Sequence, residues 1–145
     1  LLALAVDLLG EIAVRESSDK VKVSHIDIAN QKIERDKMLD IIESEPTQFQ
    51  LVLHAIMLLD GKKNHETIFT GDVYNIYQEV CEKTKNEVLT QRRVSDILGE
   101  FDMLGIINAR VISKGRQGRT REIKLMLSPN IKEKADEILK KALDF

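Results

Sequence analysis

A mainly α-helical chain that ends in a small β-hairpin and a last helix is what three features of this 145-residue sequence predict. Apolar residues recur at steps of three and four over several long stretches, the period of an amphipathic helix. Two β-compatible runs, Ile106 to Ser113 and Thr120 to Leu127, flank the polar turn Lys114-Gly115-Arg116-Gln117-Gly118-Arg119 and pair as a hairpin. A hydrophobic content of 43% is enough for one sizeable core, or for one small domain carrying a helical appendage.

Taken in order, LLALAVDLLGEIAVRE (residues 1–16) is already inside an apolar helical pattern, with neither an initiator methionine nor a cap. The chain therefore reads as a segment cut from a longer protein. SSDKVKVS (residues 17–24) is a polar break, and Ser24 is placed to cap a second helix through Ile26, Ala29, Ile33, Met38, Ile41 and Ile42 to about Glu45. Pro46 stops it. Residues 1–50 hold ten acids against six bases, whereas residues 51–145 hold sixteen bases against fourteen acids. The expected division is thus a helical segment, 1–46, and a domain, 47–145.

Thr47 to Leu59 is apolar on nearly every side and belongs in the middle of a fold. Asp60-Gly61-Lys62-Lys63-Asn64 reads as a loop, and Thr67 to Phe69 as a short strand. Thr70 is expected to cap a helix whose Val73, Ile76, Tyr77 and Val80 face inward, and Lys83 to Leu89 supplies a turn. Thr90 is the expected N-cap of the next helix, in which Val94, Ile97, Leu98, Phe101 and Leu104 form one apolar stripe, and Gly105 ends it. After the hairpin, Ile131 to Leu143 forms a last amphipathic helix that packs back on the domain.

Helix, strand, helix, helix, hairpin is the order of a winged helix-turn-helix, a module that usually binds DNA. The third helix has the chemistry for it. Gln91, Arg92, Ser95 and Gly99 lie opposite the apolar stripe; arginine bonds guanine bidentately, glutamine bonds adenine, and a glycine admits a close backbone. The competing reading is a solvated face on which Arg92 and Arg93 pair with Asp96. The hairpin adds six basic residues against one acid between Arg110 and Lys124, in a chain whose net charge is −2. Such concentration suits phosphates, because each one neutralised releases counterions, and arginines on a thin loop enter the negative minor groove.

Other chemistries find little support. His25, His54 and His65 lack metal-ligand spacing, so no metal is expected. The sequence carries neither a phosphate-cradling glycine loop nor a nucleophile elbow, and the chain does not read as an enzyme. His54 reads as a core histidine and His65 as a surface residue. The single Cys81 lies among apolar helical residues and reads as packing. With no Trp, a stacking platform for single strands is disfavoured and duplex is the expected partner. No apolar run approaches the ~20 residues that span a bilayer, so the protein is expected in the cytoplasm, on the nucleoid, with no membrane partner.

TGDVYNIYQEVCEK, LTQRRVSDILGEFDMLGIINARV and KGRQGRTREIKL, within Phe69 to Leu127, resemble the C-terminal winged-helix domain of archaeal replication initiators. These are related to the origin recognition complex large subunit and the helicase-loading cell division cycle protein. AVDLLGEIAVRE and VSHIDIANQKIERDKMLDIIESEP are similar to the helical lid of that family's AAA+ ATPase module. The resemblance implies origin-DNA binding, with the recognition helix in the major groove and the wing in the minor groove. It assigns DNA contacts to Thr90, Gln91, Arg92, Arg93 and Ser95 on the helix, and to Lys114, Arg116, Gln117, Arg119 and Arg121 on the wing. It also implies ATP or ADP with Mg for the full-length protein, but no cofactor for this stretch, because the lid arginine has no match before Arg15. The replicative helicase and other initiator subunits are the partners it suggests. A winged-helix transcriptional regulator and a winged-helix protein-interaction module are the other classes open to the residues.

Overall fold

A computed structural model of the chain describes residues 23–63, 67–113 and 119–144. The helix expected over residues 1–16, the break at 17–22, His65 and the turn 114–118 lie outside the described residues, as do the side chains of His25 and Arg119. Two compact units divide the chain, Leu1–Ile41 and Ile42–Phe145.

Helix α1, Val23–Ser44, contributes most of what is described of the first unit. It starts one residue before Ser24, which therefore sits within the first turn and not at the cap; terminal assignments shift by a residue or two in this way. Pro46 interrupts the helix, and the Pro46 carbonyl accepts the Gln50 N–H at 3.1 Å to begin the next one.

Helix α2, Thr47–Lys63, is the central element of the second unit, with Leu51, Val52, Leu53, Ala55 and Ile56 at 0–1% exposure. It continues through Asp60-Gly61-Lys62-Lys63, where the sequence suggests a loop. The polar turn is held by tertiary contact: Lys132 Nζ donates to Asp60 Oδ2 at 2.8 Å. Lys62 also suits the negative end of the helix dipole, offsetting part of the roughly 1 kcal/mol that a mid-helix glycine costs.

Strand β1, Ile68–Phe69, leads into helix α3, Thr70–Thr84. Thr70 is not the cap. Phe69 holds that position, its N–H donating to Asp72 Oδ2 at 2.9 Å, and the Thr70 hydroxyl is used elsewhere. Helix α4, Gln91–Met103, buries Val94, Ile97, Leu98 and Phe101, and the Phe101 ring meets Phe49 edge-on at 5.9 Å. Leu104, expected in this stripe, is 38% exposed because the helix ends there. Gly105 turns at φ +78°, its N–H bonds the Asp102 carbonyl, and the Ile106 N–H bonds the Phe101 carbonyl. That is a Schellman ending, and Ile106, the residue after the turn, is fully buried where Leu104 is not.

Strands β2, Ile107–Ser113, and β3, Arg119–Leu125, pair antiparallel, and β1 joins on the far edge of β3 to give the order β1-β3-β2. One face carries the rows Ile107/Leu125 and Ala109/Ile123, which cover the core, and continues outward as Val111/Arg121 and Ser113/Arg119. Helix α5, Pro129–Leu143, has proline in its first turn, where the missing N–H costs nothing, and buries Ala135, Leu139 and Leu143 against the domain.

Candidate nucleic-acid interface

The entry to α4 is built with care. Thr90 is extended at φ −65°, ψ 157°, and its Oγ accepts the Arg93 N–H at 3.3 Å. This is an N-cap, worth about 1 kcal/mol. The preceding turn is fastened to the helices behind it: Tyr77 Oη donates to Gln48 Oε1 at 2.7 Å and accepts the Leu89 N–H at 2.8 Å. Tyr74 Oη donates to the Leu89 carbonyl at 2.9 Å, and Gln48 Nε2 donates to the Glu87 carbonyl at 2.8 Å. Burial pushes the Tyr77 phenol well above its ordinary range, so it stays protonated and keeps its donor. Lys85 takes the left-handed conformation at φ 58° that ends α3, and Asn86 Nδ2 donates to Thr84 Oγ at 2.7 Å. The connection is longer than a minimal helix-turn-helix, and these bonds hold it.

The wing meets α4 at Arg121. Its Nη1 donates to the Ser95 carbonyl at 2.9 Å, in the middle of the helix. A Cβ placed on Gly99 would stand 3.6 Å from the same Nη1. The bare face of Gly99, read from sequence as room for a DNA backbone, thus borders this arginine of the wing. On the strand side, the Thr70 hydroxyl accepts the Arg121 N–H at 3.3 Å and lies 3.5 Å from the Arg121 carbonyl, to which it donates. One residue thus joins α3, α4 and β3.

Helix and wing share one open groove of about 690 Å³, lined by Gln91, Arg92 and Ser95 of α4, Val111, Thr120 and Arg121 of the hairpin, and Thr70 and Gly71 of α3. Of the ten residues proposed from sequence, the groove gathers Gln91, Arg92, Ser95 and Arg121. Thr90 and Arg93 are exposed beside it at the helix entry. Arg119 pairs through its backbone with Ser113 at the end of the ribbon, and Lys114, Arg116 and Gln117 lie outside the described residues. Among the described residues, neither Arg92 nor Arg93 forms an ion pair with Asp96, so the solvated-pair reading of this face finds no bond.

Four groove residues escaped the sequence reading: Thr70, Gly71, Val111 and Thr120. Val111 is 57% exposed although it continues the core-facing row of β2. Alternation tells which face a residue joins, but not where along the strand the core stops. A signal was present for Thr70, since a threonine followed two residues later by Asp72 leaves its hydroxyl spare once the aspartate takes the cap.

The comparisons agree with this architecture. The family model described as "CDC6, C terminal winged helix domain" matches residues 40–135. An ORC1-type DNA replication protein of Pyrococcus abyssi is 51% identical over 86% of this chain and 30% of its own length. ORC1-type DNA replication protein 1 of Methanosarcina mazei is 43% identical over 97% of this chain and 36% of its own. The chain thus spans about a third of these relatives. Among solved structures, the Aeropyrum pernix ORC1 protein in complex with DNA superposes with a TM-score of 0.81 at 36% identity, over 94% of this chain and 35% of that one. The Drosophila ORC bound to DNA, at 16% identity and a TM-score of 0.60 over 90% of this chain and 33% of its own, shares the fold. A winged helix with this sequence belongs to the CDC6 C-terminal winged helix domain family of ORC1/Cdc6-type replication initiators.

Proposed function

We propose that this chain binds duplex DNA at replication origins, with the start of α4 in the major groove and the wing in the adjacent minor groove. The observation that carries the reading is the single groove in which Gln91 and Arg92 of the helix stand beside Thr120 and Arg121 of the wing. An α-helix fills the major groove of B-DNA, and a thin cationic ribbon beside it reaches phosphates and the narrower groove next door. Arg92 and Gln91 then read base edges, Arg93 and the Thr90 end of the helix meet phosphate, and Arg116, Arg119 and Lys114 supply the wing's charge. Val111 adds an apolar surface suited to a thymine methyl or a sugar. The relative solved with DNA, at 36% identity, supports the reading.

On this view the segment acts by binding and performs no chemistry of its own. Nucleotide binding, with ATP or ADP and Mg, belongs to the longer protein, whose lid residues 1–46 supply in part, and contact with other initiator subunits and the replicative helicase belongs to the assembled initiator. The test is a footprint on genomic origin fragments and on unrelated duplex of equal length, at two salt concentrations. Protection of a defined origin segment that survives the higher salt is the expected result; equal, salt-sensitive coverage of both duplexes would overturn origin recognition, because non-specific binding is almost wholly electrostatic.

A further inference from the structure

The ladder between β1 and β3 ends at the pair Phe69↔Glu122, and the next residue outward on β3 is Arg121. From there the sheet is only the β2–β3 ribbon, through Val111↔Arg121, Ile112↔Thr120 and Ser113↔Arg119. A two-stranded ribbon is marginal by itself and twists strongly, so its direction is set by whatever holds its root. Each residue advances ~3.3 Å, and any angular error at the root grows with every step outward.

Arg121 holds that root from both sides. Thr70 takes over from the missing third strand, its hydroxyl bonded to the Arg121 N–H at 3.3 Å and to the Arg121 carbonyl at 3.5 Å. Across the groove, Nη1 reaches the Ser95 carbonyl at 2.9 Å. That carbonyl also serves the helix, and its second lone pair accommodates the added donor. The guanidinium lies close over α4 because Gly99 has no side chain; a Cβ there at 3.6 Å is ordinary contact, and a longer side chain would occupy the arginine's place.

We propose that Arg121 is a positioning residue that fixes the angle between wing and α4, so that both reach one duplex in register and sequence preference depends on the joint. This rests on the DNA reading above and adds to it. Arg121 is then more than one positive charge among several. A lysine keeps the charge but loses the planar fork.

The experiment uses the 145-residue chain with Arg121→Lys, Gly99→Leu and Gly99→Ala. Residual dipolar couplings on the free protein report whether the amides of α4 and of the β2–β3 ribbon obey one alignment tensor; binding to origin and unrelated duplex is measured over a salt series. The unchanged protein and Gly99→Ala are expected to fit one tensor, and Arg121→Lys and Gly99→Leu to need two. Arg121→Lys should lose about tenfold in affinity for origin DNA, the size of one lost base contact, with non-specific affinity and salt slope retained. One tensor for Arg121→Lys and Gly99→Leu, or an unchanged ratio of origin to unrelated affinity in Arg121→Lys, overturns the proposal. Failure of the unchanged protein to bind any duplex would overturn the DNA reading instead, while the couplings still decide whether the joint exists.

Discussion

Gln91 and Arg92 occupy the first turn of α4, exposed, and among the described residues neither has a partner that diverts its hydrogen-bonding groups from the groove. Replacing either by Ala is expected to lower affinity by about 1–3 kcal/mol for one base identity at one position, leaving non-specific binding nearly intact. Binding measured against single-base variants of the footprinted site checks this; a loss uniform over all bases would make that residue a phosphate contact. Thr90 acts differently, since its oxygen serves the Arg93 N–H. The helix entry was legible in the sequence because capping is local chemistry. Thr70 was misread for the converse reason, as its hydroxyl bonds Arg121, 51 positions away, and no local pattern announces such a partner.

The turn before α4 stands on Tyr77, whose hydroxyl holds both Gln48 and the Leu89 N–H. Tyr77→Phe strands both groups and is expected to cost about 1–3 kcal/mol of stability in a chemical denaturation curve. DNA affinity should fall further than stability explains, because Leu89 leads directly into Thr90. For the wing, neutralising Arg116 and Arg119 together should weaken binding to every duplex and flatten the slope of log affinity against log salt by about two units. An unchanged slope would remove the ribbon from the DNA. Periodicity was enough to locate α3, α4 and the hairpin, since each has one buried and one wet side. It failed at residues 60–63, where α2 continues because Lys132 anchors Asp60 from a distant helix. The groove itself was half legible: residue types marked Gln91 and Arg92, but Val111 depends on where the core ends.

Across the whole domain, one packed core holds the groove, with Phe101 and Leu98 fully buried beneath α4. Leu98→Ala or Phe101→Ala should cost roughly 2–5 kcal/mol by melting, and DNA binding at low temperature should persist if the fold does. Acid should weaken the domain through His54, which burial holds below the ordinary imidazole range. The unfolded chain then takes up a proton near pH 6.5 that the folded chain still refuses, so stability is full above about pH 6.5 and declines as pH falls toward the lower folded value. His54→Gln should flatten that part of the curve of denaturation midpoint against pH. Glu45 works in the opposite sense and in a more acidic window, since burial and then Glu100 push its carboxyl up and its protonation favours the fold. Finally, Cys81 is the sole thiol in the chain, at 0% exposure and pushed up by burial. A maleimide or disulfide reagent therefore finds nothing to label until the molecule opens. A cysteine introduced at Ser113, exposed on the ribbon, becomes a unique address for a dye or a tethered oligonucleotide.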